Sequence, residues 1–414
     1  NTNNSQLSDG SAIYSLGSIS LNNVIISGNS GSAPTIYLAG GDELIEFTDV
    51  EIFNNTGSSN NTGQIFFTNG PRLLFDNVTI RDNTLLSDDA VMYVLEGSAQ
   101  PGSIFNRLQV TGHEYGAFFS PRIHGTDNTM TLNNCTFADN NRSNGGGFNS
   151  LNITGFWDDG PTLLINNSIL GGGGNASEIY APNIENVEIR YSNINGGMDN
   201  IGTNEFTVYE NNIDADPLFV YPENGDYNLL ASSPCINSGN PEFELDPDGT
   251  TIDMGAIYYH NEYTGPDWYV DQIAGSDTTG TGENGSSFAS ISAALHWSSD
   301  GDNINVGPGT YFERLEITHD ISLLGTDGPE ETIISGNDPN HLNGLNARLI
   351  NLTEHNTPGQ LDDGEILIDG FTLRDNFGGG ITTYSVNSEV TFSNLIIQNN
   401  FAGNHGGGML LYLS

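Results

Sequence analysis

A six-position pattern of apolar and polar residues recurs along this chain. Its first and sixth positions are apolar, and its fourth is mostly apolar. Its third position is most often asparagine, and aspartate, arginine, tyrosine or glycine in the other copies. The pattern occurs at 21–26, 47–52, 75–80, 105–110, 132–137, 165–170, 189–194, 368–373 and 392–397. Alternation of apolar and polar positions predicts short β-strands with one buried face. Repeated strands of this kind therefore account for much of the chain.

A polar turn and a second short strand follow each copy of the pattern. The turns include SGNSG, FNNTG and RDNT, and the second strands include PTIYLA, QIFFT and VMYVL. Within each of the two runs of the pattern, 21–194 and 368–397, successive third positions lie between 24 residues (167 to 191) and 33 residues (134 to 167) apart. This spacing leaves no room for the helix of a leucine-rich repeat or the four strands of a propeller blade. Stacked in parallel, such coils bury one apolar column, so we predict an all-β fold, a right-handed parallel β-helix.

The third position of the pattern is predicted to be a turn. Asparagine and aspartate side chains bond to nearby backbone and tolerate turn conformations. In stacked coils, equal side chains would lie one above another and form a ladder. The residues at this position are Asn23, Asp49, Asn77, Arg107, Asn134, Asn167, Tyr191, Gly370 and Asn394.

Residues 266–317 depart from the repeated coils. They contain a WYV strand, a GSD turn, a PGTY strand and a segment at 288–297 that reads as a short amphipathic helix. In that helix Phe288, Ile291, Ala294 and Leu295 would share one face. This stretch resembles the N-terminal entrance of pectate-lyase-like parallel β-helices. The resemblance implies that the helix caps the open first coil and prevents edge pairing.

A second distinctive stretch, residues 214–258, reads DADPLFVYPENGDYNLLASSPCINSGNP and then DPDGTTIDMGAIYY. It is similar to the C-terminal closure of secreted bacterial β-helix proteins, many of which are multi-module surface proteins. A closing segment thus precedes an opening one. We predict that residues 1–262 are the C-terminal portion of one β-helix, with the closing segment at 198–260. Residues 266–414 would be the N-terminal cap and first coils of a second, or circularly continued, parallel β-helix.

The composition limits the partners. The chain has 52 acidic residues against 9 basic ones, all of them arginine, and a formal net charge of −43. Nucleic acids and anionic membranes select basic patches, so both are excluded as partners. No apolar run reaches the about 18 residues that a membrane span needs. Cys135 occupies an apolar position of the pattern, so we expect a buried free thiol rather than a disulfide with Cys235.

The resemblance also raises two enzymatic hypotheses. A polysaccharide lyase would need a lysine or arginine as base, with Ca²⁺ neutralising the uronate. The chain has no lysine, and its arginines are scattered outside any lyase motif. A glycoside hydrolase would need paired carboxylates, and adjacent acidic pairs occur at 88–89, 158–159 and 362–363. With 52 acidic residues such pairs arise by chance, so the sequence favours a non-catalytic protein while leaving activity open.

Aromatic residues recur in the second strands. Rings on an outward face could bind sugars, whereas rings on an inward face would stack in the core. We expect the inward arrangement. The residues concerned are Tyr14, Tyr37, Phe66, Tyr93 and Phe118.

Calcium is the ligand that the sequence favours most. Asp246, Asp248 and Asp253 place three carboxylates in eight residues around a glycine turn, which suits hard oxygen coordination. The stretch lacks the twelve-residue loop and terminal glutamate of an EF-hand. The alternative is a turn in which the aspartates cap backbone amides.

Together these features predict a non-catalytic, extracellular or cell-surface structural module. It would form part of a fibre, sheath or adhesin assembled from β-helices that self-associate head to tail through terminal coils, or from a longer polypeptide. The alternatives are a calcium-dependent polysaccharide lyase or hydrolase of the pectate-lyase-like class, and a glycan-binding module with a polysaccharide partner. No membrane insertion is expected.

Overall fold

A computed structural model describes most of the chain, and it divides the chain into two compact units. The first comprises Asn1–Leu229 and Pro234–Tyr259, and the second comprises Leu230–Ser233 and His260–Ser414. The described residues are 12–31, 33–40, 44–57, 65–85, 91–96, 102–113, 119–123, 129–140, 151–152, 154–155, 162–171, 178–181, 184, 186–203, 207–336, 348–353, 364–386, 389–402 and 406–413. In this part of the chain, no helix has the length and apolarity needed to cross a membrane.

Two stacked parallel sheets build the first unit. One sheet contains Ile13–Ser15, Ile36–Ala39, Phe66–Gly70, Met92–Glu96, Phe119–Ile123, Leu151–Asn152, Thr154–Gly155, Ile179–Ala181 and Ile201–Thr203. The other contains the pattern strands Ser20–Ser27, Leu44–Phe53, Arg72–Arg81, Ile104–Thr111, Thr129–Asn133, Thr136–Ala138, Thr162–Asn166, Ile169–Gly171, Asn186–Arg190, Asn193–Ile194 and Val208–Glu210. Neighbouring strands come from successive coils, which confirms the predicted all-β parallel β-helix.

The register of the pattern strands matches the predicted repeat. Phe47 pairs with Leu21 on one side and with Phe75 on the other, and Val50 pairs with Val24 and Val78 in the same way. Cys135 continues the apolar core and is a buried free thiol, as expected, as is Cys235. Equal positions of successive coils therefore form vertical apolar rows.

The third position of the pattern is a left-handed turn. Its φ lies between 46° at Asn394 and 56° at Asn77 in every non-glycine case, and glycine at position 370 has a φ of 85°. Asparagine and glycine visit this region most readily. Arg107 and Tyr191 hold the same conformation at φ 52° and 48°. The predicted turn is thus present in each coil that carries the pattern.

In the first unit, a ladder of side-chain amides is formed by residues that follow the pattern strand in each coil. The amide of Asn55 donates to Asn83 Oδ1 at 3.1 Å, and Asn29 donates to Asn55 Oδ1 at 3.0 Å. In the next coils His113 and Asn140 continue the row. These side chains satisfy backbone and one another where water is excluded, as buried polar groups must be.

The aromatic row corrects the sequence-based expectation. Tyr14, Tyr37, Phe67 and Tyr93 stack in succession at centroid distances of 5.4, 4.9 and 5.7 Å. They alternate with Ile36 and other inward residues, so they lie on the outward face, with Tyr14 46% exposed. Inward stacking is correct only for Phe66, which is fully buried. Phe118 lies outside the described residues.

The first unit ends with a short irregular region. It contains the 3₁₀-helices Gly197–Asn200 and Pro222–Asn224 and one antiparallel pair, Phe219–Tyr221 with Asp226–Leu229. Residues 234–259 have no strand or helix.

Three parallel sheets build the second unit. The first contains Asp267–Val270, Asp302–Val306, Ile321–Gly325, Glu365–Asp369 and Glu389–Ser393. The second contains Gly309–Tyr311, Thr332–Ser335, Thr372–Arg374 and Ile396–Gln398. The third contains Leu315–Ile317, Ile350–Thr353, Ile381–Val386 and Met409–Leu413.

The predicted capping helix is Ile291–Trp297, three residues shorter at its start than the sequence suggested. Ser290 caps it by accepting a hydrogen bond from the Ala293 N–H at 3.2 Å. Phe288 precedes the helix and is buried, as are Ile291 and Leu295. The helix packs against Asp267–Val270, Asp302–Val306 and Leu315–Ile317. The outer edge of Asp267–Val270 is paired by Phe288, whose N–H donates to the Tyr269 carbonyl at 3.0 Å, so the residue before the helix, rather than the helix itself, occupies that edge.

Candidate functional site

Residues 234–259 run back along the outside of the first β-helix. The amide of Asn193 donates to Cys235 Sγ at 3.3 Å, and the Asn240 N–H donates to Asn167 Oδ1 at 2.8 Å. Further along, the amide of Asn134 donates to the Asp253 carbonyl at 2.8 Å. The segment therefore passes three successive coils. It bonds to a side chain of each coil, either at the left-handed turn position or in the strand that follows that position.

The three aspartates proposed for calcium all lie in this segment, and each accepts hydrogen bonds from it. Asp253 is 1% exposed and takes the N–H of Asn237 at 2.7 Å and of Tyr259 at 2.6 Å. Asp246 accepts the N–H of Asp253 at 2.8 Å. Asp248 accepts both the N–H and the hydroxyl of Thr250, at 3.0 and 2.7 Å. This is the backbone-capping arrangement that was the alternative to a metal site.

Burial raises the pKa values of two of these carboxyls. The pKa of Asp253 rises to about 7 and that of Asp246 to about 6, in both cases chiefly through loss of solvent and against the pull of backbone N–H donors. The folded chain therefore holds protons that the unfolded chain releases at lower pH. The contribution of these two carboxyls to the free energy of unfolding is complete below the ordinary aspartate pKa of 3.8. It is lost as the pH rises through their pKa values in the folded protein, about 6 and about 7.

The oxygen atoms of the three aspartates determine whether this segment fits calcium. Ca²⁺ takes about six to eight oxygen ligands. Both oxygens of Asp253 already accept backbone N–H groups, and within the described residues no three acidic, histidine or cysteine side chains converge as metal ligands. The calcium hypothesis for Asp246, Asp248 and Asp253 stays a prediction.

A cleft of about 760 Å³ lies between this segment and the neighbouring coils. One side is formed by turn and strand residues of the β-helix, and the other by the segment. The coil side consists of Asp76, Asn77, Asn106, Arg107, Asn133 and Asn134. The segment side consists of Phe243, Glu244, Leu245, Asp246, Pro247, Ile252, Asp253, Gly255, Ala256, Ile257 and Tyr258.

The coil side of the cleft is polar and ordered by contacts between coils. Arg107 forms an ion pair with Asp76, with Nη2 2.7 Å from Oδ1. Asn133 donates to Asn106 Oδ1 at 3.0 Å and accepts from Asn166 at 3.1 Å. Asn106, Asn133 and Asn166 thus form a ladder on the outer face, which presents amide groups at the regular rise of about 4.8 Å between parallel strands.

The segment side is more apolar. Leu245 is 59% exposed and Tyr258 is 42% exposed, while Phe243 and Ile257 are half-buried. An exposed aromatic ring beside convergent polar groups is typical of small-molecule sites. The sequence did not indicate this cleft, because its two sides are more than a hundred residues apart along the chain. The one available signal was Arg107, which replaces asparagine in the turn row.

The residues weighed for catalysis are not brought together where the structure describes them. Arg81 contacts Glu51 and Asp82, and Arg190 contacts Glu188 and Glu210. The acidic pairs at 88–89, 158–159 and 362–363 lie outside the described residues.

Comparisons with known proteins give little further help. No protein-family model matches the chain, and no curated protein matches it. Among solved structures, the chain is similar to the PL6 family alginate lyase AlyGC, at 10% identity and a TM-score of 0.21, over 94% of this chain and 73% of that one. A mutant of the same enzyme matches at 12% identity and a TM-score of 0.19, over 95% and 75% of the two chains.

Proposed function

We propose that the chain is a non-catalytic structural module of an extracellular or cell-surface protein built from parallel β-helices. The observation that carries the proposal is the use of polar side chains as links between coils. Asn29, Asn55 and Asn83 bond coil to coil in the interior, and Asn106, Asn133 and Asn166 do so outside.

The arginines support the same role. Arg107 bridges to Asp76 of the preceding coil, and Arg72 donates to the Gly102 carbonyl of the next coil at 3.0 Å. Arg348 donates to the Gly406 carbonyl at 2.8 Å. A lyase base must reach the sugar carbon that it deprotonates, and these guanidinium groups are held by protein partners.

Apolar rows remain uncovered by described residues at one end of each unit. Val24 is half-buried, whereas the equivalent Val50 is 1% exposed. In the second unit Ile396 is 37% exposed while the paired Thr372 is 4% exposed. Parallel strand edges of this kind pair readily with further strands. The proposal therefore includes stacking of further coils, from a second copy or from the same polypeptide.

Electron microscopy and a depolymerisation assay test the proposal together. The purified chain, alone and at rising concentration, is expected to give elongated particles that lengthen by end-to-end association. Alginate, pectate and other uronate polymers with calcium are expected to yield no unsaturated products. Sustained release of such products would overturn the non-catalytic role and favour the lyase hypothesis. Compact particles that stay monomeric at every concentration would overturn the stacking of one copy of the chain on another.

A further inference from the structure

The polar side of the cleft has hydrogen-bonding capacity beyond its ladder. A primary amide carries two N–H donors and two acceptor lone pairs. Asn133 uses one donor toward Asn106 and one acceptor toward Asn166. One donor and one lone pair of this amide are left for a ligand. A hydroxyl group suits such a pair, because it both donates and accepts.

The opposite side provides the apolar surface that a ring needs. Tyr258 and Leu245 are 42% and 59% exposed where they line the cleft. Aromatic and aliphatic side chains with a few convergent polar groups form the usual small-molecule site, of about 300–1,000 Å³. The cleft volume of about 760 Å³ falls within this range. A ligand with hydroxyls on its edges and C–H groups on its faces matches both sides.

The charges in the cleft select against anionic ligands. The Arg107 guanidinium is neutralised by Asp76 at 2.7 Å. Glu244 and Asp246 add negative charge on the other side, and the chain as a whole carries −43. Carboxylate or sulfate groups would therefore be repelled, since like charges in a cleft disfavour association.

We infer that this cleft binds a neutral oligosaccharide, with sugar hydroxyls on Asn106 and Asn133 and a sugar face against Tyr258. Oligosaccharide binding in the cleft would be a second property of the module, and it does not depend on the proposed structural role. Glycan specificity would reside in the amide row, whose spacing repeats with the coils. Uronate polymers, the substrates of the lyase hypothesis, would be excluded by charge.

Calorimetric titration of the full chain tests the inference. The probes are gluco-, manno- and xylo-oligosaccharides as neutral ligands, and oligogalacturonate and oligoalginate as acidic ones. At least one neutral series is expected to bind, and the acidic series to bind at least tenfold more weakly. Failure of every neutral series, or equal binding of the acidic ones, would overturn the inference.

Substitutions locate the site. Tyr258→Ala is expected to weaken binding about tenfold, an effect of roughly 1.4 kcal/mol, and Leu245→Ala to weaken it less. Tyr221→Ala is the matched control, because Tyr221 is 48% exposed in the same unit and does not line the cleft. Circular dichroism checks that each variant is folded, and Leu245→Ala carries the test if Tyr258→Ala is not. Binding that persists unchanged in every folded cleft variant would overturn the assignment of the ligand to this cleft.

Discussion

His113 Nδ1 lies 3.0 Å from Asn140 Oδ1 in the interior of the first β-helix, where the imidazole replaces an asparagine amide. On its other side Nε2 lies 3.4 Å from the amide nitrogen of Asn83. The two contacts are satisfied together when Nδ1 carries the proton and Nε2 accepts. Full burial lowers the pKa of His113 to about 4, against the opposing effects of Asn140 and Asp82.

Acid is therefore expected to destabilise the first unit through His113. The unfolded imidazole takes up a proton near pH 6.5, and the folded one does so only near pH 4. The contribution of this group is complete above pH 6.5 and declines as the pH falls toward 4. Between pH 7 and pH 5 the loss is about 2 kcal/mol.

The variant His113→Asn isolates this effect, because it continues the amide ladder without a titrating group. Urea unfolding of both proteins from pH 7 to pH 5 should show the wild type losing about 2 kcal/mol relative to the variant. Other groups titrate equally in both proteins and cancel in the difference. His260→Asn, at an exposed histidine, serves as the control. A difference that does not change with pH would contradict the assigned role of His113.

Asp253 is expected to stabilise the closing segment through its backbone contacts. The change Asp253→Ala leaves the N–H groups of Asn237 and Tyr259 without their acceptor. A loss of about 1–3 kcal/mol in the free energy of unfolding follows. Glu244→Ala removes an exposed carboxylate from the same segment and should have no comparable effect.

The same proteins decide the calcium hypothesis. The carboxylates of the closing segment accept hydrogen bonds from backbone N–H groups. We therefore expect the wild type to have the same melting temperature with chelator and with added calcium. A chelator-induced fall in the melting temperature of the wild type, absent from Asp253→Ala, would instead establish calcium binding at this segment.

The left-handed turn at Tyr191 is expected to be a point of strain. Its φ of 48° is unfavourable for a tyrosine and acceptable for asparagine. Tyr191→Asn should raise the free energy of unfolding by about 1 kcal/mol. Tyr221→Asn is the control, because Tyr221 has an extended φ of −158°. Thermal unfolding of the two variants measures the contrast, and equal effects would show that backbone strain is not involved.

Phe75 is expected to be among the most sensitive core positions. It is fully buried, stacks on Phe47 at 4.9 Å and meets Phe66 and Phe105 edge to face. Phe75→Ala should cost about 3–5 kcal/mol. Ile25→Ala, at a side chain that is 65% exposed, should change stability by no more than about 0.5 kcal/mol. Similar losses in the two variants would argue against the buried stack.

The sequence predicted the repeating part of the fold well, because each coil carries its own signal. Asn77 and Asn134 identify the turn position of the pattern, and Val50 and Val78, at its fourth position, identify the inward row. The aromatic row was harder. In Phe66-Phe67 two apolar residues are adjacent, so alternation alone does not say which one faces inward. For Tyr14 and Tyr37 the neighbouring isoleucines did carry that information.

The cleft could not be predicted because it depends on the path of residues 234–259. That segment has no periodicity, and its position is fixed by single contacts such as Asn240 with Asn167. The nature of the aspartate turn was likewise ambiguous. Three nearby carboxylates are compatible with a cation or with backbone capping, and the sequence does not show where the N–H groups lie.

In a solenoid, each coil touches mainly its nearest neighbours, so the ends are free to open one coil at a time. The path of residues 234–259 alters this for the coils that contain Asn134, Asn167 and Asn193. Because one segment bonds to all three coils, we expect the three coils to separate together. Amide hydrogen exchange should accordingly show one opening event shared by these coils. Their protection factors should be similar, without a decrease from the middle of the β-helix toward its end.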